Sequence, residues 1–162
     1  MRLDGNALVL GAHVNTDLLH PPAFFDTDST AAAKGAFAGL DIDRDELGSP
    51  PYIILAGDNF GCGSSRESTV RALRAAGLIA VVARSFSHIF ARNAMNTAIH
   101  VLVGDVTPLG ATTGSPVTID LEAFLVQLHD VAVPVEPPSR LQQSIIEAGG
   151  LEAYLLSRNW KW

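Results

Sequence analysis

The chain has a single cysteine, Cys62, among 162 residues. One thiol cannot form an internal disulfide. It also cannot hold an iron–sulfur cluster, which takes several thiolates, and a lone cysteine fits a reducing, cytoplasmic setting. Charge is scarce, at 17% of residues with a net of −6 and no run of lysine or arginine. That excludes a nucleic-acid face, which needs clustered cations. No apolar run approaches the roughly 18–20 residues that span a membrane, so no membrane partner is expected. The opening Met1-Arg2-Leu3-Asp4-Gly5 lacks a basic stretch followed by an apolar one, and no signal peptide is expected. The histidines His13, His20, His88, His100 and His129 show no His-x-x-x-His spacing, and no metal site is expected on this chain. Asp41, Asp43, Asp45 and Glu46 lack the glycine and the distal glutamate of a calcium loop and read as a solvated segment.

Hydrophobic residues are plentiful, at 48%, enough for one core over residues 1–162. Residues 7–10 form a first strand and 13–22 a loop. Residues 22–50, rich in Asp, Ala, Gly and Ser, form a mobile substrate loop with a short helix over 31–37, ended by Pro50-Pro51. Residues 52–56, 78–83 and 99–103 are compact β-branched runs and read as buried strands. Helices fill the gaps. One starts at Ser64, where Glu67 three residues on makes a capping-box pattern, and stops before Gly77. The next starts at Ser85 with Phe86, Ile89, Phe90 and Met95 at helical spacing, and His88 packed among them. The result is an α/β fold with a central parallel βαβαβ unit. Residues 117–121 and 131–135 pair as a small β appendage, and 139–148 and 151–157 are closing helices. The tail Asn159-Trp160-Lys161-Trp162 offers an aromatic docking segment, on its own domain or elsewhere.

The chemically informative stretch is Gly57-Asp58-Asn59-Phe60-Gly61-Cys62-Gly63-Ser64-Ser65-Arg66-Glu67, between a buried strand and a helix. Such a position gathers unpaired N–H groups and the positive end of the helix dipole, and ligands of parallel sheets bind at strand carboxyl ends. It is not a P-loop, since no Gly-Lys-Ser/Thr closes it, and Arg66 stands where a dinucleotide fingerprint needs its third glycine. Arg66 can grip a carboxylate through two parallel hydrogen bonds. A serine beside that cation has its alkoxide stabilised and can remove the proton α to the carboxylate. A plain structural role, with Ser64 a helix cap, is the competing account. So is a thiol nucleophile, Cys62 with His13, His88 or His100.

Residues 57–67 resemble the Gly-Asp/Glu-Asn-Phe-Gly-Cys-Gly-Ser-Ser-Arg-Glu signature of small subunits in the aconitase superfamily, isopropylmalate isomerases in particular. Two further segments are similar, in order. Asn15-Thr16-Asp17-Leu18-Leu19-His20-Pro21 resembles Asp-Thr-Asp-x-Ile-Ile-Pro. Arg84-Ser85-Phe86-Ser87-His88-Ile89-Phe90-Ala91-Arg92-Asn93 resembles Lys-Ser-Phe-Ala-x-Ile-Phe-x-x-Asn. The resemblance implies a swivelling β/β/α domain that closes over a large, cluster-bearing dehydratase subunit, the [4Fe-4S] cofactor lying on that partner and none on this chain. By the same resemblance Ser64 is the catalytic base, Ser65 and Arg66 bind a substrate carboxylate, and Asp17, within Asn15-Thr16-Asp17, orients that group, with Thr16 beside it. The substrate is then a small hydroxy diacid.

In that family the loop after the first motif contacts the variable substrate group. Here it reads Pro22-Ala23-Phe24-Phe25-Asp26-Thr27-Asp28, with the next basic residue at Lys34. Phe24 and Phe25 suit an alkyl group, and Asp26 and Asp28 oppose a further acidic arm. An alkylmalate such as 3-isopropylmalate is therefore expected, with dimethylmalate, methylmalate or homocitrate as alternatives. One departure stands out: Ser68 occupies the place of the family's histidine after Arg-Glu, which leaves room for a paralogue or a non-catalytic regulatory relative.

Overall fold

A computed structural model describes residues 1–64 and 66–159; the expectations for Ser65 and for the aromatic tail at 160–162 fall outside the described residues. The strands are β1 (Arg2–Val9), β2 (Tyr52–Ala56), β3 (Leu78–Ala83), β4 (His100–Val103), β5 (Pro116–Asp120), β6 (Leu125–Leu128) and β7 (Val131–Pro134). The helices are α1 (Thr16–Leu19), α2 (Ser29–Ala33), α3 (Arg44–Leu47), α4 (Glu67–Ala75), α5 (His88–Asn96), α6 (Arg140–Glu147) and α7 (Leu151–Ser157), with a 3₁₀ turn at Pro22–Phe24.

All seven strands join one mixed sheet in the order β4-β3-β2-β1-β5-β6-β7. The β1–β4 half is parallel and the β5–β7 half antiparallel. The expected βαβαβ unit is present, but the appendage is no separate ribbon. Its first strand pairs with β1, and the 117–121 and 131–135 segments are not neighbours, because β6 lies between them. Sequence patterning missed β6, whose Leu125-Val126-Gln127-Leu128 is short and only half alternating.

Adjacent residues on a strand face opposite sides, and this splits the core in two. Leu8, Ile54 and Val81 face the helices with Phe60, Leu73 and Phe90. Ala7, Ile53, Leu55, Ala80 and Val82 face inward to Val117, Ile119, Val126 and Val133 of the antiparallel half, so the sheet curls over its own apolar face. The curl nearly closes: the Glu136 N–H donates to the Val103 carbonyl at 2.7 Å.

Residues 22–50 are pinned to the core through fully buried Phe37 and Leu47. The Phe37 N–H donates to the Leu19 carbonyl at 2.6 Å, and Arg44 Nη2 to the Ala36 carbonyl at 2.6 Å. The helix expected at 31–37 is α2, shifted earlier because Asp28 caps it, accepting from the Thr30 and Ala31 amides. The acidic cluster likewise caps a helix, Asp43 accepting from the Asp45 and Glu46 amides. In α5 the buried face is Phe90 and Ala94, whereas His88 and Ile89 are exposed, against the expected packing of both.

His100, at the start of β4, is the clearest pH-sensitive group. Burial, and secondly the like charge of Arg74, push its pKa down from 6.5 to about 4. Arg74 stays close because its guanidinium donates to the Ala98 carbonyl. Between these two values the unfolded chain binds the proton and the folded chain does not. This contribution to stability is therefore present above pH 6.5 and is lost as pH falls toward 4. Urea midpoints should fall across that window in the native chain, and His100→Gln should flatten that part of the profile.

Candidate active site

Three loops leave the carboxyl ends of β1, β2 and β3, and the backbone keeps them paired beyond the strands. From the first loop, His13 donates to the Asp58 carbonyl at 2.7 Å and Thr16 to the Cys62 carbonyl at 3.0 Å, while the Val14 carbonyl accepts from Gly61 at 3.0 Å and Cys62 at 3.2 Å. Isolated parallel bridges Asn15–Cys62 and Phe60–Phe86 continue the β1–β2 and β2–β3 ladders. On the β3 side, Phe60 donates to the Ser85 carbonyl at 3.0 Å and Ser87 to the Phe60 carbonyl at 2.9 Å. The three segments that resemble family motifs are therefore one hydrogen-bonded surface.

The glycine-rich turn is built on Phe60, fully buried and edge-on to Phe86 and Phe90, with centroids 6.1 and 5.1 Å away. Gly61 and Gly63 take φ of +77° and +93°. A Cβ on Gly61 would strike the Phe90 ring, and one on Gly63 would lie 2.6 Å from Asn15 Oδ1. Both the left-handed backbone and the close approach require glycine.

The turn delivers Ser64 to the surface, exposed. The expected capping box is not formed. Helix α4 begins at Glu67 with Arg66 as N-cap and no side-chain cap, and the Glu67 carboxylate turns forward to Arg71, 2.7 Å away. Among the described residues the Ser64 hydroxyl makes no hydrogen bond, so capping does not consume it. Its backbone is held from below: buried Thr16 donates Oγ1 to the Ser64 carbonyl at 3.1 Å. Arg66 is exposed, with its guanidinium carbon 4.6 Å from the centroid of Phe25. Phe25 stacks on His20, centroids 5.3 Å apart, while Phe24 is 42% exposed and its side chain rests over Gly35.

Two contacts are thus in place around the turn, Thr16 with the Ser64 carbonyl and Phe25 with Arg66. Asp17 lies on the neighbouring α1 turn, exposed, and among the described residues its carboxylate makes no hydrogen bond or ion pair with Arg66. Ser68 is half-buried within α4. His20 is the participant that sequence reasoning missed. It is fully buried, its Nε2 hydrogen-bonds the Ala32 carbonyl at 2.9 Å, and its Nδ1 has no partner among the described residues. Its place one residue before Pro21 in the first motif was the available signal.

The thiol alternative loses its geometry. Cys62 Sγ donates to the His13 carbonyl at 3.3 Å, while the His13 ring is engaged by Asn59 at 3.2 Å, and among the described residues no imidazole is hydrogen-bonded to the thiol. Among the described residues no group of three or more His, Cys, Asp or Glu side chains could hold a metal ion. A cavity of about 680 Å³ lies between α4, α5 and α7, and neither Ser64 nor Arg66 lines it. Ser64 and Arg66 therefore lie on an open surface rather than in a self-contained pocket.

Residues 43–103 match the family described as Aconitase C-terminal domain. The Methanogen homoaconitase small subunit of Methanocaldococcus jannaschii is 34% identical, the match covering 98% of this chain and 94% of that one. The 3-isopropylmalate dehydratase small subunit 2 of Methanopyrus kandleri is 39% identical over 94% and 92%. The crystal structure of a 3-isopropylmalate dehydratase from Methanocaldococcus jannaschii superposes with a TM-score of 0.90 at 34% identity, covering 98% of this chain and 96% of that chain.

Thr16→Val replaces the buried hydroxyl by a methyl of equal size and leaves the Ser64 carbonyl without that donor. Unfolding free energy should drop by about 1 kcal/mol, while Thr16→Ser retains most of it. Urea titration of both variants is the check, and equal losses in the two would mean that the hydroxyl does not hold the turn.

Proposed function

We propose that this chain, which belongs to the 3-isopropylmalate dehydratase small-subunit family of the aconitase superfamily, supplies the serine base and a carboxylate clamp to a two-subunit hydro-lyase acting on an alkylmalate-type hydroxy diacid. The observation that carries this is the exposed hydroxyl of Ser64, unbonded among the described residues and two positions before Arg66, on a turn whose backbone is hydrogen-bonded from both sides. A cap serine would be spent on α4; Ser64 is not.

In this scheme Arg66 grips one substrate carboxylate through its N–H edge, with Ser65 and Asp17 assigned by resemblance to the same group. The Ser64 oxygen takes the proton from the carbon α to that carboxylate. The electron pair left on carbon forms the double bond as hydroxide departs from the neighbouring carbon, giving an alkene diacid and, overall, water. Adding water back across that bond with the opposite orientation completes an isomerisation. The lone Cys62, bonded to a backbone carbonyl, fits no role in holding a cluster, so the [4Fe-4S] cofactor falls to the large subunit implied by the relatives' names. When bound there, the cluster would act as a Lewis acid on the substrate hydroxyl. Cytoplasmic location follows from the same lone free thiol.

The alkyl preference rests on the exposed apolar ring of Phe24, on the loop just after the first motif. Asp26 and Asp28 stand close behind in sequence, with Asp28 held below the usual carboxylate range by the Ala31 and Thr30 amides, so its negative charge persists. A homocitrate-like substrate is the second possibility, because one relative is named a homoaconitase subunit. The charge on this loop weighs against it.

The decisive assay is anaerobic co-expression with a cluster-bearing large subunit, followed by alkene diacid formation from both substrate types. Ser64→Ala should lower kcat by at least about 100-fold with KM little changed. Undiminished turnover in that variant would remove Ser64 from the chemistry, and full activity of the isolated chain would refute the split enzyme.

A further inference from the structure

We propose that Phe25 is a positioning residue for the carboxylate clamp, held in place by His20, rather than a contact for the substrate's alkyl group. It rests on the clamp role of Arg66 given above and adds what aims that clamp. Among the described residues the Arg66 side chain makes no hydrogen bond and no ion pair; its fixed contact is the Phe25 ring, 4.6 Å from the guanidinium carbon. A guanidinium is flat, and its two functions use different surfaces. The face lies over an aromatic ring, while the N–H edge remains free to form two parallel bonds to a carboxylate. Phe25 can therefore hold Arg66 without competing with substrate.

Phe25 is itself fixed. His20 is fully buried, its ring stacks on Phe25 at 5.3 Å and 29°, and its Nε2 hydrogen-bonds the Ala32 carbonyl of α2 at 2.9 Å. The Phe25 amide closes the 3₁₀ turn on the Pro22 carbonyl at 3.1 Å. A continuous line of contacts thus runs from α2 through His20 and Phe25 to an arginine that would otherwise move freely in water. The division of labour on the loop follows: Phe25 serves the clamp, and Phe24, 42% exposed, is the ring left to meet an alkyl group.

The test uses the assembled two-subunit enzyme. Phe25→Leu keeps an apolar side chain but removes the aromatic face, and should raise KM about 2–5-fold with kcat within about 2-fold. Phe25→Tyr keeps the face and should restore KM to near the native value. In an Arg66→Gln background, which should itself raise KM, adding Phe25→Leu should change nothing further. Equal effects of Leu and Tyr, or an undiminished effect of Leu in that background, would overturn the proposal. If Arg66→Gln leaves KM unchanged, the clamp itself fails, and this proposal with it. A second readout needs no partner: in the full chain, ring current should shift the Arg66 δ-methylene protons upfield in NMR spectra, and Phe25→Leu should abolish the shift. Absence of any upfield shift in the native chain would refute the contact directly, whatever the kinetics.

Discussion

The placement of the candidate site residues depends on parallel pairing that does not stop where the strands stop. The loops after β1, β2 and β3 stay in backbone register through the Asn15–Cys62 and Phe60–Phe86 bridges. A serine on an ordinary loop would sample many positions. Here its carbonyl is tied to Thr16, its turn to Val14, and the turn's aromatic anchor lies under the sheet's helical layer. Such anchoring fixes where the Ser64 side chain leaves the backbone, although among the described residues its hydroxyl makes no hydrogen bond.

The same constraint explains why the site looks incomplete. Ser64 and Arg66 are exposed, and the cavity of about 680 Å³ between α4, α5 and α7 lies elsewhere. A base in open water gains nothing from its cation, because the high dielectric screens it. Closure by a second surface raises the value of every charge already in place, so one half-site can be well ordered yet silent alone. The relatives' names, which call them small subunits, imply such a large-subunit partner.

Much of the fold was legible. The runs at 52–56 and 78–83 were bounded correctly because buried parallel strands are continuous apolar segments, here set off by Pro51 and Gly57 and by Gly77 and Arg84. Those that failed were decided by tertiary context. β6 is four residues long and has meaning only between β5 and β7. The Ser64–Glu67 capping box was a good local pattern that lost to the turn's need to project Ser64 outward, with Glu67 finding Arg71 instead. At the site, the motif residues were readable one by one, but their joining through His20 and Phe25 was not, because a stacking chain across a loop leaves no spacing signal.

The bond from the Glu136 N–H to the Val103 carbonyl has a reach beyond the core it helps to close. Strand β4 is the outer margin of the parallel half, and an open margin of unpaired amides invites another chain to add a strand. With the exit of β7 folded against it, that margin is partly sealed. Strand addition at that side of the sheet is therefore hindered, while the loop-bearing end that carries Ser64 and Arg66 stays exposed.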